Sequence, residues 1–184
     1  MSFRISIFIL YIIGFPYPAI IGKNNYNVEL LDMNTKSSTP DIFDIKLTRA
    51  RASRGIFGFS GVIDFKEDID TDQALVELRV YYSPPNGFAY SLTPFHIGPT
   101  TMTRSLNNEY KLYIKDTLVE CCTNSLDEKL FVSPLKARYM ECENCQFHTE
   151  NLPTSLRLGH YKLMLLVYEK PGMNCTIVVN LEKD

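Results

Sequence analysis

The sequence predicts a mainly β chain, an antiparallel β-sandwich or β-cup with one appended amphipathic α-helix. Three features predict it. Successive segments alternate apolar and polar residues with a period of two, the mark of half-buried strands. The period changes once, to three- and four-residue steps, between Ser105 and Cys122. Strand-like segments otherwise follow one another without intervening helices, so βαβ units are not expected.

At the N-terminus, Met1-Ser2-Phe3-Arg4 carries one basic residue, and 5–13 is apolar apart from Ser6. Gly14, Pro16 and Pro18 follow, then the small residues Ala19 and Gly22. This is the layout of a secretory signal. The apolar run falls short of the ~20 residues that span a bilayer. The reading is a signal peptide at 1–22 and a single secreted domain at 23–184. Gly22 is preferred to Ala19 as the cleavage point because Ile20 suits the −3 position better than Tyr17.

A short strand is expected at 27–32 and a polar loop at 33–40. Segment 41–53 alternates Phe43, Ile45 and Leu47 against Asp44, Lys46 and Thr48. Segment 55–65 repeats the pattern with Phe57, Phe59, Gly61, Ile63 and Phe65. Its Gly58 and Gly61 point to a bulge or a close backbone approach. Asp68, Asp70, Thr71 and Asp72 form a turn; the glycine and closing glutamate of a calcium loop are missing. Segment 74–83 sets Val76, Leu78, Val80 and Tyr82 on one face. Pro84-Pro85-Asn86-Gly87 is a turn, and a short strand is expected at 88–92.

The helix at 105–122 carries Leu106, Tyr110, Tyr113, Ile114, Leu118 and Cys121 on one side, to pack on a sheet. Strands are then expected at 135–147, 161–169 and 175–181. The last two are joined as a hairpin through Lys170-Pro171-Gly172.

All five cysteines lie late in the chain: Cys121, Cys122, Cys142, Cys145 and Cys175. In an oxidising compartment they pair. Their connectivity stays open, although a bridge between neighbours Cys121 and Cys122 would strain the peptide between them. Zinc held by Cys121, Cys122, Cys142 and Cys145 is one alternative, but the pattern lacks one of the usual two-residue knuckles. A redox centre at Cys142-Glu143-Asn144-Cys145 is another, but it needs a helix N-terminus and the motif sits in a strand. Structural disulfides are favoured, and the odd cysteine could link two chains. Asn174-Cys175-Thr176 is a glycosylation signal.

The charge balance, 19 basic against 21 acidic residues, is near neutral and argues against a nucleic-acid partner. No later segment is apolar for long enough to span a membrane. Recognised motifs for nucleophilic, metal or phosphate chemistry are absent, and the sequence calls for no cofactor. The histidines His96, His148 and His160 sit in no recognisable catalytic pattern. A non-enzymatic protein is expected.

Several stretches, in order, carry a resemblance. They are Phe59–Asp70 with the alternating strand after it; Phe88–Phe95 (FAYSLTPF); Leu106–Leu118 (LNNEYKLYIKDTL); Asn124-Ser125-Leu126; Ser133-Pro134-Leu135 with Tyr139; and Leu152-Pro153 with Gly159-His160-Tyr161-Lys162. Together they cover about residues 55–170. The chain resembles the insect chemosensory CheA/CheB group, of the DUF1091-type set. That group is similar to the ganglioside GM2 activator and, more remotely, to MD-2-related lipid-recognition domains. The family usually has a cysteine just before the helix, where this chain has Thr103 or its neighbours, another where it has Ser133, and a glycine before the position of Tyr139. A different disulfide set is therefore expected.

The resemblance implies a β-cup taking a lipid or pheromone-like ligand between its sheets, in taste or pheromone perception. The alternating strands nominate Phe57, Phe59, Ile63, Phe65, Val80, Tyr82, Met164 and Leu166 as inward residues. Leu163 and Leu165 leave the opposite face of the last strand equally apolar. The first expectation is a secreted carrier whose partner is a hydrophobic small molecule or lipid. The alternative is an interaction module acting through its surface on a membrane receptor or extracellular protein. A third is a secreted enzyme or an accessory to a lipid hydrolase, for which His96 would matter.

Overall fold

The computed structural model describes residues 26–183. The expected signal segment and its cleavage point lie outside them. Among the described residues nine strands form two antiparallel sheets, the sandwich that the alternation predicts, and one interrupted helical segment joins the sixth strand to the chain before the seventh. The larger sheet orders β1 (Tyr26–Ser37), β9 (Met173–Lys183), β8 (Gly159–Tyr168) and β4 (Leu75–Ser83). The short β5 (Ser91–Leu92) and β6 (Ile97–Thr101) both pair with β4. The smaller sheet orders β2 (Phe43–Ser53), β3 (Ile56–Phe65) and β7 (Arg138–Cys145).

Alternation sets the inner faces. Phe43, Ile45 and Leu47 of β2, with Phe59, Ile63 and Phe65 of β3, are buried against Val76 and Val80 of β4 and Val167 of β8 in one core. Phe43 and Phe65 rings sit 4.7 Å apart, within stacking range. Gly58 and Gly61 mark close approaches, as expected. A Cβ on Gly58 would lie 1.8 Å from the Cys145 carbonyl oxygen, and one on Gly61, at φ +144°, 1.9 Å from that of Lys46.

β1 runs five residues beyond the expected strand. A bulge after Leu30 shifts the side-chain parity, so that Leu30 and Met33 both face inward. The polar continuation finds partners. Thr35 Oγ1 donates to the Ile45 carbonyl and accepts from the Leu47 N–H, both at 3.1 Å, and so ties the two sheets together.

The helix differs from the single one expected. It divides into α1 (Met102–Ser105), a wider π-type turn over Leu106–Tyr110, α2 (Lys111–Tyr113) and α3 (Lys115–Cys121). Thr101 caps its start by accepting from the Arg104 N–H. In the wide turn, Asn107 donates to the Phe131 carbonyl and accepts from the Phe131 N–H. Tyr110 packs edge-on against the Phe131 ring. The turn widens where this loop docks, and the regular apolar stripe is lost. Leu106 and Leu118 are buried, but Ile114 is exposed.

Candidate functional site

The carboxyl end of the helix is clipped to β7 by two disulfides, Cys121–Cys145 and Cys122–Cys142. Adjacent cysteines reach different partners because Cys121 ends the helix while Cys122 is already extended, at φ −116° and ψ 136°. On the strand side, a three-residue step would point Cys142 and Cys145 to opposite faces of a regular strand. A bulge opposite Ser60 prevents this. Asn144 takes φ 53°, its N–H donates to Ser60 Oγ, and both sulfurs turn inward. Each bridge closes a loop of 20–24 residues and adds about 3 kcal/mol.

Cys175 is the odd cysteine, a free thiol buried in the core. Its burial leaves no accessible sulfur for the interchain link that an odd cysteine could make. Burial pushes its thiol pKa up to about 11. Asn174 beside it is exposed.

Of the eight nominated inward residues, Phe59, Ile63, Phe65 and Val80 are buried in the core. Tyr82 packs against the core and donates to the Leu158 carbonyl. Phe57 lies at the end of its stripe, outside the core, with the Arg49 guanidinium 3.5 Å above its ring. Met164 and Leu166 need correction. The inward residues of β8 are Tyr161, Leu163, Leu165 and Val167, and Met164 and Leu166 point to the opposite face. The β8 run is apolar on both faces, so its own period decides nothing. The register with β4 does decide, because opposed residues share a face. Leu163 sits opposite Val80, and Leu165 opposite Leu78.

Leu78, Leu163, Leu165 and Ile177 gather near the centre of the inner face of the large sheet. They pack on the core yet stay partly exposed, while Val76 and Val80 of β4, Tyr161 and Val167 of β8 and Val179 of β9 are buried around them. The sequence nominates none of these four for the pocket, although Leu78 shares the alternating face of Val76 and Val80 on β4. The surface is apolar, and its tyrosines are occupied. Tyr161 Oη donates to the Arg157 carbonyl and accepts from the Arg157 N–H, and burial raises its pKa.

Two concavities of the described residues lie elsewhere. One, about 460 Å³, is lined by Glu120, Cys121, Glu143, Phe147, His148 and Glu150. The other, about 480 Å³, is lined by Pro85, Leu158, His160, Asn180, Leu181 and Glu182. None of the eight nominated residues lines either.

His148 stands between two carboxylates, Glu120 at 2.9 Å and Glu150 at 3.6 Å. Glu120 sits on the helix and Glu150 in the loop after β7, so only the fold brings this trio together. His96 and His160 meet backbone carbonyls of Thr93 and Pro85.

Thr103 and Ser133 both contact Thr71. Thr103 Oγ1 lies 2.6 Å from Thr71 Oγ1, and Ser133 Oγ accepts from the Thr71 N–H at 3.1 Å. Fold and site together define a disulfide-stapled antiparallel β-sandwich with a partly open apolar inner face. Among the described residues no helix is long and apolar enough to cross a membrane. No family model matches the chain, and no curated protein matches it.

Proposed function

We propose that the chain is a secreted, non-enzymatic binding protein that takes a hydrophobic ligand, a lipid or pheromone-like molecule, against the inner face of its large sheet. One observation carries this reading: the inward Leu78, Leu163, Leu165 and Ile177 remain partly exposed between buried neighbours. Val80 and Val179, equally central on β4 and β9, are buried, so the opening is local to this group. Covering this apolar surface with a ligand would contribute about 25 cal/mol per Å². The two disulfides fit an extracellular protein. The resemblance to the chemosensory group extends the proposal to taste or pheromone perception.

A second reading, a module acting through its surface on an extracellular partner, is favoured by a different observation. Two concavities, of about 460 and 480 Å³, are lined by none of the nominated inward residues. Native mass spectrometry of the protein secreted from insect cells, before and after organic extraction, separates the two. A mass excess removed by extraction supports the carrier. A clean apo mass with no uptake of long-chain lipids sinks it and leaves the surface module.

A further inference from the structure

The two disulfides do not merely lie near each other. Cys121 Sγ is 3.8 Å from Cys122 Sγ, and Cys122 Sγ is 3.9 Å from Cys145 Sγ. The sulfurs of Cys121, Cys122 and Cys145 all fall within 4.8 Å of one another. Cys142 Sγ, bonded to Cys122, is the fourth sulfur of the cluster. In a tetrahedral zinc–thiolate site, with Zn–S about 2.3 Å, neighbouring sulfurs stand ~3.8 Å apart. Two of the spacings between the bridges, Cys121–Cys122 and Cys122–Cys145, already have that value, while Cys142 Sγ lies outside the group of three and must swing in once its bond to Cys122 is broken.

We propose that this cluster has a second chemical state: when its bridges are reduced, Cys121, Cys122, Cys142 and Cys145 bind one zinc ion. The chemistry balances with a dithiol as reductant. Each bridge accepts two electrons and two protons, its S–S bond breaks, and one dithiol becomes a disulfide. Two bridges thus yield four thiols and two oxidised dithiols. Zinc(II) then takes four thiolates, and the four thiol protons pass to solvent.

Three features keep the thiols assembled without their bridges. The backbone of Cys122 pairs with that of Cys142, and the Thr123 N–H donates to the Glu141 carbonyl at 2.9 Å. The β7 bulge at Asn144 keeps Cys142 and Cys145 on one face, which makes the Cys-x-x-Cys a usable knuckle. Cys121 lines the concavity of about 460 Å³, which opens a path for reductant and metal to otherwise buried sulfurs. Cys175 is not part of the cluster. The proposal does not depend on the ligand reading above.

The test is a cobalt(II) titration of the whole protein, oxidised and after anaerobic reduction by a phosphine. The expected result is one cobalt per reduced chain, with the intense visible absorption of tetrahedral thiolate coordination. Zinc should displace it, and in Cys175→Ala all four remaining thiols should resist alkylation by mass only while metal is bound. The oxidised chain should show none of this. Cys175→Ala should leave the signal unchanged, and Cys142→Ser should weaken it. Absence of the thiolate band in the reduced chain overturns the proposal. So does protection of fewer than four thiols, or a reduced chain that unfolds and does not regain strand signal with zinc.

Discussion

Single side chains carry two of the structure's less expected features. Cys175 is a core residue rather than a reactive one. At pH 8 a thiol with a pKa of about 11 is ionised to about one part in a thousand, and burial blocks the reagent as well. Iodoacetamide should therefore leave the native oxidised chain unmodified and label one thiol per chain once urea unfolds it. Labelling at the rate of a free peptide thiol would show Cys175 to be open. Thr71 is almost fully buried, and its hydroxyl meets Thr103 while its N–H meets Ser133. Thr71→Val keeps the shape and the N–H but removes the hydroxyl. The expected cost is ~1–2 kcal/mol, read as a Tm lower by about 3–6 °C. An unchanged Tm would mean that the hydroxyl pair is dispensable.

At the scale of the element, the β7 bulge decides the disulfide pattern. Asn144 holds a left-handed conformation that glycine adopts freely and β-branched residues resist. Asn144→Gly should be close to neutral. Asn144→Val should cost about 1–2 kcal/mol and scatter the pairing, which peptide mapping of the secreted chain would detect as bridges other than Cys121–Cys145 and Cys122–Cys142. Native pairing in full yield would remove the bulge from this role. The same element shows what a sequence can and cannot say. β3 and β4 were legible because polar and apolar residues alternate cleanly and the glycines of β3 fall where backbones touch. The hairpin through Pro171 and Gly172 was legible from its turn residues. β8 was not, because Leu163, Met164, Leu165 and Leu166 are apolar on both faces and only pairing with β4 selects one. The bulges after Leu30 and beside Asn144 were hidden for a related reason: each changes parity by one residue without changing composition. The break in the helix comes from Asn107 and Phe131, 24 residues apart, and no local period records it.

For the whole molecule, acid sensitivity follows from exposed ion pairs of one sign. Asp68 accepts from Lys136 Nζ and the Ala137 N–H, and the lysine hydrogen bond holds its carboxyl below the usual carboxylate range. Lys46 does the same for Asp44, and Arg79 for Glu77. A pKa depressed by folding means that the unfolded chain binds protons first as pH falls. Urea midpoints should stay level from about pH 8 to 5 and fall below about pH 4, less steeply in Asp68→Asn. A midpoint that holds through pH 3 would mean that these pairs contribute nothing. The larger question is whether the sandwich works from its inside, and two adjacent residues decide it. Leu165 faces inward and Met164 outward. Tryptophan at either adds similar bulk, but only Leu165→Trp fills the partly open inner face. With a fluorescent long-chain fatty acid as probe, the unaltered protein should show saturable uptake. Leu165→Trp should weaken it by at least about tenfold, ~1.4 kcal/mol, while Met164→Trp leaves it unchanged. Equal loss from both would place the probe on the outer surface. No uptake by the unaltered protein would shift the function to its exterior, because an apolar inner face that binds nothing is only the core of the fold.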